Sequence, residues 1–277
     1  MTQNLTGSDR SMAGKRRVSA EVYDRDYLLS ENTEGFGEFQ RGELSFVKQQ
    51  QLDALELAPG IGLLEIGFGR GEFAYHCAKR GARVTAVDYS EAAVEIGRET
   101  LAEFPDAEVR VADCKALPFP DAAFDRVYAG DVIEHQDFED GVLMLREMYR
   151  VLRPGGFLFL HTAPNAVFMR FVLPLARPLL RRIDRAGMER FDEHMKVNAL
   201  VHVHEYSLLS LRRVARRAGL DAEVWIGADV LRSARHRHTQ NLARSPLVTF
   251  AAWLARLAPV RFLLGNDLYL KAAKPVA

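Results

Sequence analysis

The chain has 277 residues, of which 48% are hydrophobic and 27% charged, which is typical of a globular protein and excludes collagen-like or low-complexity architecture. Lysine plus arginine and aspartate plus glutamate both number 37, so no overall charge draws the molecule to nucleic acid or to a membrane. Two cysteines, Cys77 and Cys114, are too few for a disulfide scaffold, and the N-terminus is polar, which together predict a cytoplasmic protein.

Two segments precede the first predicted strand. Residues 1–16 are polar and small, which predicts a disordered tail. Residues 17–57 carry apolar side chains near a 3.6-residue period, which indicates a helical N-terminal cap. No uninterrupted apolar stretch in the chain reaches the ~20 residues that span a bilayer, so we do not expect the chain to cross a membrane.

Short apolar runs alternate with amphipathic helices across residues 58–162. This alternation predicts an α/β fold with a doubly wound, mostly parallel sheet, and it places the ligand at the carboxyl ends of the strands. The predicted strands are 62–66, 84–87, 109–111, 124–128 and 157–160, and the predicted helices between them are 72–79, 91–103 and 141–152.

The rest of the chain divides into an insertion and a C-terminal part. Residues 163–206 are rich in apolar residues and arginine and predict a helical insertion, in which Pro174 and Pro178 are expected to prevent one straight helix. In residues 207–277 the alternation of helix and strand resumes, and every charged residue between 230 and 266 is basic. The elements predicted here are a helix at 207–218 and strands at 224–226 and 268–272.

The strongest local signal is the run L-L-E-I-G-F-G-R-G-E, where the first predicted strand ends and a helix begins. Gly67, Gly69 and Gly71 let the backbone turn sharply and approach a ligand closely. The third glycine comes one position too early for a dinucleotide fingerprint, and the carboxylates of Glu65 and Glu72 would repel a pyrophosphate. The same carboxylates suit the ammonium and sulfonium groups of S-adenosylmethionine, which is therefore the predicted ligand.

Further acidic residues follow the next two predicted strands. Asp88 ends the second strand, where a carboxylate can accept hydrogen bonds from both ribose hydroxyls of the ligand. Asp113, after the third strand, is placed to receive the adenine amino group. Tyr89 or Cys114 can flank the adenine ring. A glycine loop followed by acidic residues in this order favours S-adenosylmethionine more strongly than a glycine loop alone does.

Together these features resemble the class I S-adenosylmethionine-dependent methyltransferases, of methyltransferase type 11, and particularly the subgroup that includes the ubiquinone-biosynthesis O-methyltransferases. The resemblance covers roughly residues 58–162 and implies a Rossmann-like seven-stranded doubly wound sheet whose last strand, 268–272, is antiparallel, with a helical N-terminal extension and helical lid insertions. The motifs that carry it are L-L-E-I-G-F-G-R-G-E (63–72), A-V-D-Y-S (86–90), V-A-D-C-K-A-L-P-F-P-D (111–121), F-D-R-V-Y-A-G-D-V-I-E-H (124–135) and V-L-R-P-G-G (151–156).

The resemblance implies a role for each matched donor-site position. The three glycines pack under the methionine part of the donor, Asp88 holds the ribose and Asp113 meets the adenine. The full set of predicted donor-binding residues is Glu65, Gly67, Phe68, Gly69, Gly71, Asp88, Tyr89, Asp113, Cys114 and Asp131.

Titratable residues also follow the fourth predicted strand. Asp131, Glu134 and His135 have the i, i+3, i+4 spacing that puts three side chains on one face of a helical turn. His202 and His204 alternate as in an extended segment, so both imidazoles can lie on one side. The pattern resembles the E-x-x-E-H motif with a downstream histidine of small-RNA 2′-O-methyltransferases and some ubiquinone O-methyltransferases, where a cation binds the hydroxyl that is methylated. The first acid here, Asp131, is one methylene shorter.

Three roles are open for this cluster, whose predicted catalytic residues are Asp131, Glu134 and His135. Glu134 and His135, with His202 or His204, can ligate a divalent cation such as Mg²⁺, Mn²⁺ or Zn²⁺. His135 can also take a proton near neutral pH without a metal. The third alternative is structural: Glu134 and His135 only hydrogen-bond the loop backbone and shape the pocket.

The acceptor is indicated by the helical regions outside the sheet. The predicted substrate residues are Tyr23 and Tyr27 in the N-terminal cap together with His202 and His204. For the two tyrosines, anchoring of a helix is the equal alternative. Segments 168–185 and 245–264 are basic and amphipathic, which predicts a helical lid packed on the sheet. The alternatives are peripheral contact with the inner face of an anionic membrane, or a cover over a lipid-like substrate. Nucleic acid is not expected as a partner, because the aromatic and glycine patterns of RNA-reading modules are missing.

The sequence thus predicts a cytoplasmic S-adenosylmethionine-dependent methyltransferase that acts on a small or lipid-like metabolite. The preference for an oxygen acceptor comes from the family resemblance alone. Nitrogen or carbon acceptors, and a non-catalytic scaffold or regulator that binds S-adenosylmethionine, are the alternatives, whereas Glu72 argues against a nucleotide-linked oxidoreductase.

Overall fold

The computed structural model describes residues 18–30, 33, 35–227 and 244–276 of the chain. The disordered tail predicted at 1–16 lies outside the described residues, as do residues 228–243 of the basic C-terminal stretch. Every helix among the described residues is too short or too polar to span a lipid bilayer.

The described residues form a sheet of seven strands with helices on both faces. The strands are β1 (Gly62–Ile66), β2 (Arg83–Asp88), β3 (Glu108–Val111), β4 (Phe124–Gly130), β5 (Leu152–Thr162), β6 (Glu223–Ile226) and β7 (Leu268–Ala273). The helices are α1 (Arg25–Leu28), α2 (Phe36–Gln40), α3 (Phe46–Ala54), α4 (Glu72–Lys79), α5 (Glu91–Thr100), α6 (Phe138–Val151), α7 (Leu173–Ile183), α8 (Arg185–Val201), α9 (Leu208–Ala218), α10 (Pro246–Leu254) and α11 (Ala258–Leu264).

The strand order is β3-β2-β1-β4-β5-β7-β6, and β7 runs antiparallel to both β5 and β6. The predicted seven-stranded sheet with an antiparallel last strand is therefore confirmed. In the parallel register Ile66 lies beside Val87 of β2 and Ala129 of β4. The carboxyl ends of these strands consequently meet at one edge of the sheet, where the residues that follow each strand come together.

Two hydrophobic cores cover the two faces of the sheet. Leu63 and Leu64, which are adjacent in β1, belong to different cores because neighbouring side chains of a strand point to opposite faces. Helices α3, α4 and α5 pack on the Leu63 side, and α6 and α9 pack on the Leu64 side. The first two predicted helices begin where expected; the third begins at Phe138, because Asp137 caps its N-terminus by accepting a hydrogen bond from the backbone N–H of Asp140.

Pro174 and Pro178, in the insertion after β5, were expected to interrupt its helix, but both lie within α7. A π-helical turn, Phe168–Val172, leads into α7, and Pro174 occupies the first turn of α7, where its missing N–H costs nothing. Pro178 lies inside α7 without ending it. The break comes instead after Ile183, because the side chain of Asp184 accepts a hydrogen bond from the N–H of Gly187 and caps α8.

Candidate functional site

The glycine loop lies between β1 and α4 at the edge where the strands end. Gly67 adopts a φ of +69°, its N–H donates to the Val87 carbonyl, and a Cβ placed on it would lie 2.4 Å from Cγ2 of Val132. Only glycine fits there, because both the backbone conformation and the space exclude a side chain. Gly71, with a φ of +82°, ends the loop as the N-cap of α4. The loop therefore leaves backbone atoms facing the space beyond the sheet.

Asp88 ends β2 and is tied to the glycine loop. Its Oδ2 accepts a hydrogen bond from the Gly69 N–H at 3.1 Å, and its Oδ1 accepts one from the Ser90 N–H at 3.0 Å. Burial raises the pKa of the Asp88 carboxyl, while these backbone donors oppose the change. Each carboxylate oxygen has a further lone pair, so Asp88 can also accept hydrogen bonds from a ligand in the cavity that it lines.

The two glutamates of the loop are placed differently from the expectation that both face a cationic ligand. Glu72 lines the cavity, but its Oε1 lies 2.6 Å from Nζ of Lys48 and 2.9 Å from a guanidinium nitrogen of Arg70. Burial would raise the pKa of Glu72, and the two cations outweigh it and lower this pKa to about 2. Glu65 is buried in β1 and does not line the cavity, and burial raises its pKa well above the ordinary value. Two paired cations thus neutralise the negative charge expected at this loop.

The residues predicted to surround an adenine lie beyond β3. Asp113 and Cys114 both line the cavity, and half of the Asp113 side chain is exposed. Its Oδ1 accepts a hydrogen bond from the Lys115 N–H at 2.9 Å. Burial raises the pKa of the Cys114 thiol to about 12, so this side chain is an apolar wall and not a nucleophile. Tyr89, 38% exposed, completes the group after β2.

Asp131, which follows β4, is paired with a buried histidine. Asp131 has a φ of +56°, and its Oδ1 lies 3.0 Å from Nδ1 of His161. Nε2 of His161 lies 3.2 Å from Oδ1 of Asp267. Burial alone would lower the pKa of His161, but the two carboxylates, Asp131 first, raise it well above the ordinary value. Asp131 and Asp267 both line the cavity, so two acidic side chains flank His161 at this wall.

The 3-10 turn Ile133–His135 carries the other two predicted catalytic residues. Oε2 of Glu134 accepts a hydrogen bond from the Thr162 hydroxyl at 2.7 Å, and burial raises the pKa of Glu134 well above the ordinary value. Nδ1 of His135 lies 2.8 Å from the Tyr23 hydroxyl and 3.1 Å from the Val201 carbonyl oxygen. Burial lowers the pKa of His135, so its imidazole is neutral near pH 7.

The structure distinguishes between the two downstream histidines. Ligand atoms of Glu134, His135 and His202 all lie within 4.8 Å of one another, and the rings of His135 and His202 are 5.1 Å apart. His204 instead packs against Tyr206 and lines a separate, smaller cavity. The Glu134 carbonyl accepts hydrogen bonds from the N–H groups of Val203 and His204. These bonds hold the segment with the two downstream histidines against the turn Ile133–His135. Of the two histidines, His202 is therefore the one that lies beside Glu134 and His135.

Tyr23 and Tyr27 line the same cavity from the N-terminal cap. The Tyr23 ring makes edge contacts with Tyr27 and Tyr89, and the Tyr23 carbonyl accepts a hydrogen bond from the Ser90 hydroxyl at 2.7 Å. Burial raises the pKa of Tyr23, so the phenol stays protonated. The cap is therefore fixed over the ends of β2 and β4 by one residue that also touches His135.

One cavity of about 1390 Å³ joins these groups. It extends from the glycine loop and Asp88, past Asp131 and His135, to apolar side chains of α7, α8 and α10. The lining also includes polar residues that the sequence patterns did not single out, among them Lys48 and Arg70 beside the loop, and Asn266 and Asp267 before β7. Asp267 precedes a predicted strand and its partner His161 lies near the end of another, so the rule that ligands bind at strand ends could have found both.

Known proteins match this chain mainly in the region where strands and helices alternate. A family model described as a methyltransferase domain matches residues 64–160. The chain is 32% identical over 142 residues to the ubiquinone/menaquinone biosynthesis C-methyltransferase UbiE of Geobacter sulfurreducens, covering 49% of this chain and 51% of that protein. It is 30% identical over 178 residues to the methyltransferase GfsG of Streptomyces halstedii, covering 62% and 57%. The chain thus spans about half the length of these curated relatives.

Solved structures with the same fold include two with a TM-score of 0.61. One is from the complex of the Haloferax volcanii Trm112 methyltransferase activator with a methyltransferase, at 17% identity, covering 94% of this chain and 99% of that chain. The other is phosphoethanolamine N-methyltransferase 2 of Haemonchus contortus with S-adenosylhomocysteine, at 20% identity, covering 93% and 61%. At these identities the similarity shows the shared fold.

Proposed function

Residues 64–160 of this chain belong to the methyltransferase domain family, which confirms the predicted family, and from this premise we propose that the protein transfers the methyl group of S-adenosylmethionine to an oxygen of a small or lipid-like metabolite. The observation that carries the proposal is the single cavity, which brings the glycine loop and Asp88 together with Asp131 and His135. Its volume of about 1390 Å³ exceeds the ~300–1,000 Å³ of a pocket for one drug-sized ligand, so a donor and an acceptor fit side by side.

The residues present fit the donor at three places. Gly67 and Gly69 present backbone to the methionine part, Asp88 accepts hydrogen bonds from the ribose, and Asp113 accepts one from the adenine amino group. The carboxylate of Asp131 lines the cavity and attracts the cationic groups of the donor, since His161 holds the pKa of Asp131 below its ordinary value. Lys48 and Arg70 line the cavity beside the loop and favour the donor carboxylate there.

For methyl transfer the protein must align the acceptor with the donor methyl group and remove a proton from the acceptor. The donor supplies a carbon already activated by positive sulfur, so holding the acceptor in line accounts for ~7–11 kcal/mol of barrier reduction. We assign the proton to Nε2 of His135: with Nδ1 donating to the Val201 carbonyl, Nε2 keeps its lone pair. Nε2 lies 3.6 Å from Glu134 Oε1, beyond hydrogen-bond distance.

A divalent cation at Glu134, His135 and His202 is the second candidate for this step. Their ligand atoms are close enough for a common ion, and Mg²⁺, Mn²⁺ or Zn²⁺ would lower the pKa of an acceptor hydroxyl. Metal content of protein purified without chelator, measured with a His202→Ala variant as control, separates the candidates. A stoichiometric metal that is lost in the variant supports the cation, whereas full turnover in a large excess of chelator refutes it.

The acceptor atom and class are proposed from the names of two relatives and from the side chains that line the cavity. One relative is named malonyl-[acyl-carrier protein] O-methyltransferase, which favours oxygen, and another is named a C-methyltransferase for ubiquinone and menaquinone biosynthesis, which makes carbon the alternative. Apolar side chains of the insertion line much of the cavity, which favours a lipid-like acceptor over a polar one. The basic segments 168–185 and 245–264 are proposed to contact an anionic membrane peripherally.

Calorimetry and turnover together test the proposed function. S-adenosylhomocysteine should bind the full chain at micromolar concentration, whereas NAD should not, and an Asp88→Ala variant should lose most of this affinity. Release of S-adenosylhomocysteine on a panel of phenolic, quinone and fatty-acid acceptors then tests catalysis. No binding at millimolar concentration refutes the proposal, and binding without turnover on any acceptor supports the scaffold alternative.

A further inference from the structure

Helix α10 is apolar on all sides. Its nine residues include no charged side chain, and Val248 and Ala252 face the protein. Leu247, Phe250 and Trp253 are spaced three apart and form a stripe on one helix face, with exposed fractions of 49, 56 and 55%. A helix that is hydrophobic all round is normally buried. The exposed stripe is therefore expected to be covered by another molecule or surface.

A second apolar stripe lies on the segment that leads into and through α7. Phe171, Leu175 and Leu179 are spaced four apart, so they share one face, and they are exposed by 65, 84 and 48%. The opposite side of this segment, with Leu173 and Leu180, packs into the small hydrophobic core of the insertion. The segment therefore has two apolar faces: one packs into the core of the insertion, and the other, with the stripe, is exposed.

Each stripe contributes one residue to the lining of the large cavity. Leu179 of α7 and Leu247 of α10 both line that cavity, and each is about half exposed. Ala176, Val248 and Ala251 of the same two helices line the cavity as well. The outer apolar surface and the apolar lining of the cavity therefore share Leu179 and Leu247, and these five residues are called the apolar path below.

The charges around this surface are positive. No acidic residue occurs between residues 244 and 266, where Arg244 and Arg256 are exposed. Arg182 at the end of α7 is exposed too, whereas Arg177 and Arg181 are paired with Asp192 and add less. Apolar stripes that carry a tryptophan and are flanked by arginines match the interface of an anionic bilayer, where apolar side chains enter the acyl boundary and cations meet the headgroups.

We propose that the two stripes, Phe171, Leu175, Leu179, Leu247, Phe250 and Trp253, form a docking face for an anionic bilayer, and that the side of the cavity lined by Leu179 and Leu247 is a port through which an amphiphilic acceptor passes directly from the bilayer into the cavity. The inference rests on the proposed function, because it needs the cavity to be the place of methyl transfer. It defines the acceptor class as an amphiphile whose apolar chain occupies the port while its polar end reaches His135.

Tryptophan fluorescence tests the docking face. The chain has two tryptophans, and Trp225 stacks on Tyr269 within the sheet, so a Trp225→Phe variant reports on Trp253 alone. With vesicles of phosphatidylcholine containing 30% phosphatidylglycerol at low salt, we expect a blue shift of Trp253 emission and quenching by brominated acyl chains. Vesicles of phosphatidylcholine alone should give a much weaker response.

A matched pair of variants makes this test specific. Leu175→Ser with Phe250→Ser removes apolar surface that is already exposed and should weaken vesicle partitioning at least tenfold, whereas Leu209→Ser, on α9 and 74% exposed, should not change it. No binding to anionic vesicles, or equal binding of the double variant, overturns the inference. A dimer that covers Trp253 and is disrupted by the double variant also overturns it, because a second copy would then be the occupant.

The port is tested with a soluble amphiphile. Lysophosphatidylglycerol with a twelve-carbon chain, below its micellar concentration, should bind the chain in calorimetry, and Ala251→Trp, which fills the path, should weaken this binding at least tenfold. Equal binding by the variant, or none by the original chain, overturns the port. S-adenosylhomocysteine binding is measured in parallel: its absence refutes the proposed function, and its presence without vesicle or amphiphile binding refutes this inference alone.

Discussion

The ion triad of Glu72, Lys48 and Arg70 yields a quantitative prediction. The pKa of Glu72 is lowered from an ordinary 4.5 to about 2, and its side chain is only 7% exposed, so solvent screens the triad little. At ~1.4 kcal/mol per pKa unit, ionised Glu72 contributes ~3.4 kcal/mol to the free energy of unfolding near pH 7. The folded-state pKa is the lower one, so this contribution is present above pH 4.5 and falls to ~1.4 kcal/mol at pH 3.

A Glu72→Gln variant keeps the volume and removes the charge. Urea unfolding followed by circular dichroism at pH 7 should show a loss of ~3 kcal/mol, because buried Arg70 and partly buried Lys48 then lose the carboxylate that they share. Glu95→Gln on the exposed face of α5 is the control and should change stability by less than ~0.5 kcal/mol. A loss below ~1 kcal/mol at pH 7, or a loss that is the same at pH 3, would refute the reasoning.

Two further predictions concern the donor site, and a third concerns proton removal by His135. Gly67→Ala should abolish S-adenosylhomocysteine binding in calorimetry because its Cβ meets Val132, whereas Gly69→Ala, which adds backbone strain but meets nothing within 4 Å, should weaken it only about fivefold, for ~1 kcal/mol. Asp88→Asn should weaken binding by tenfold or more, for ~1.5–3 kcal/mol, since a charged acceptor is lost; unchanged affinity would contradict the assigned role. With an identified acceptor, kcat/KM should fall only below pH 6.5, because burial lowers the pKa of His135, and Tyr23→Phe should shift that limb; a limb above pH 7 would exclude His135 as the base.

The sheet was predictable from sequence because its signals are local. A buried parallel strand reads as a short apolar run, so β1 and β2 were located to within a residue, and the glycine loop marked where α4 begins. The prolines of α7 were misleading, because a proline in the first turn of a helix costs no hydrogen bond and Pro178 removes only one donor. The helix break depends on the Asp184 cap, a weaker signal in the sequence.

The cavity-lining residues that follow strands were the most directly predictable ones. Asp88, Asp113 and His135 all line the cavity, as strand-end positions imply. Lys48 was not predictable, because it comes from the N-terminal cap, and no local pattern indicates that this helix packs beside the glycine loop. The pairing of Glu72 followed from that same packing. Charge at a site depends on tertiary neighbours, which a one-dimensional pattern does not contain.

The contact between Tyr23 and His135 has a practical consequence for handling the protein. Tyr23 lies near the start of the described chain, yet its hydroxyl is 2.8 Å from the imidazole assigned to proton removal. A purification tag or a truncation that displaces this tyrosine would therefore alter turnover without unfolding the sheet. The proposed turnover should therefore be measured on protein from which any purification tag has been removed.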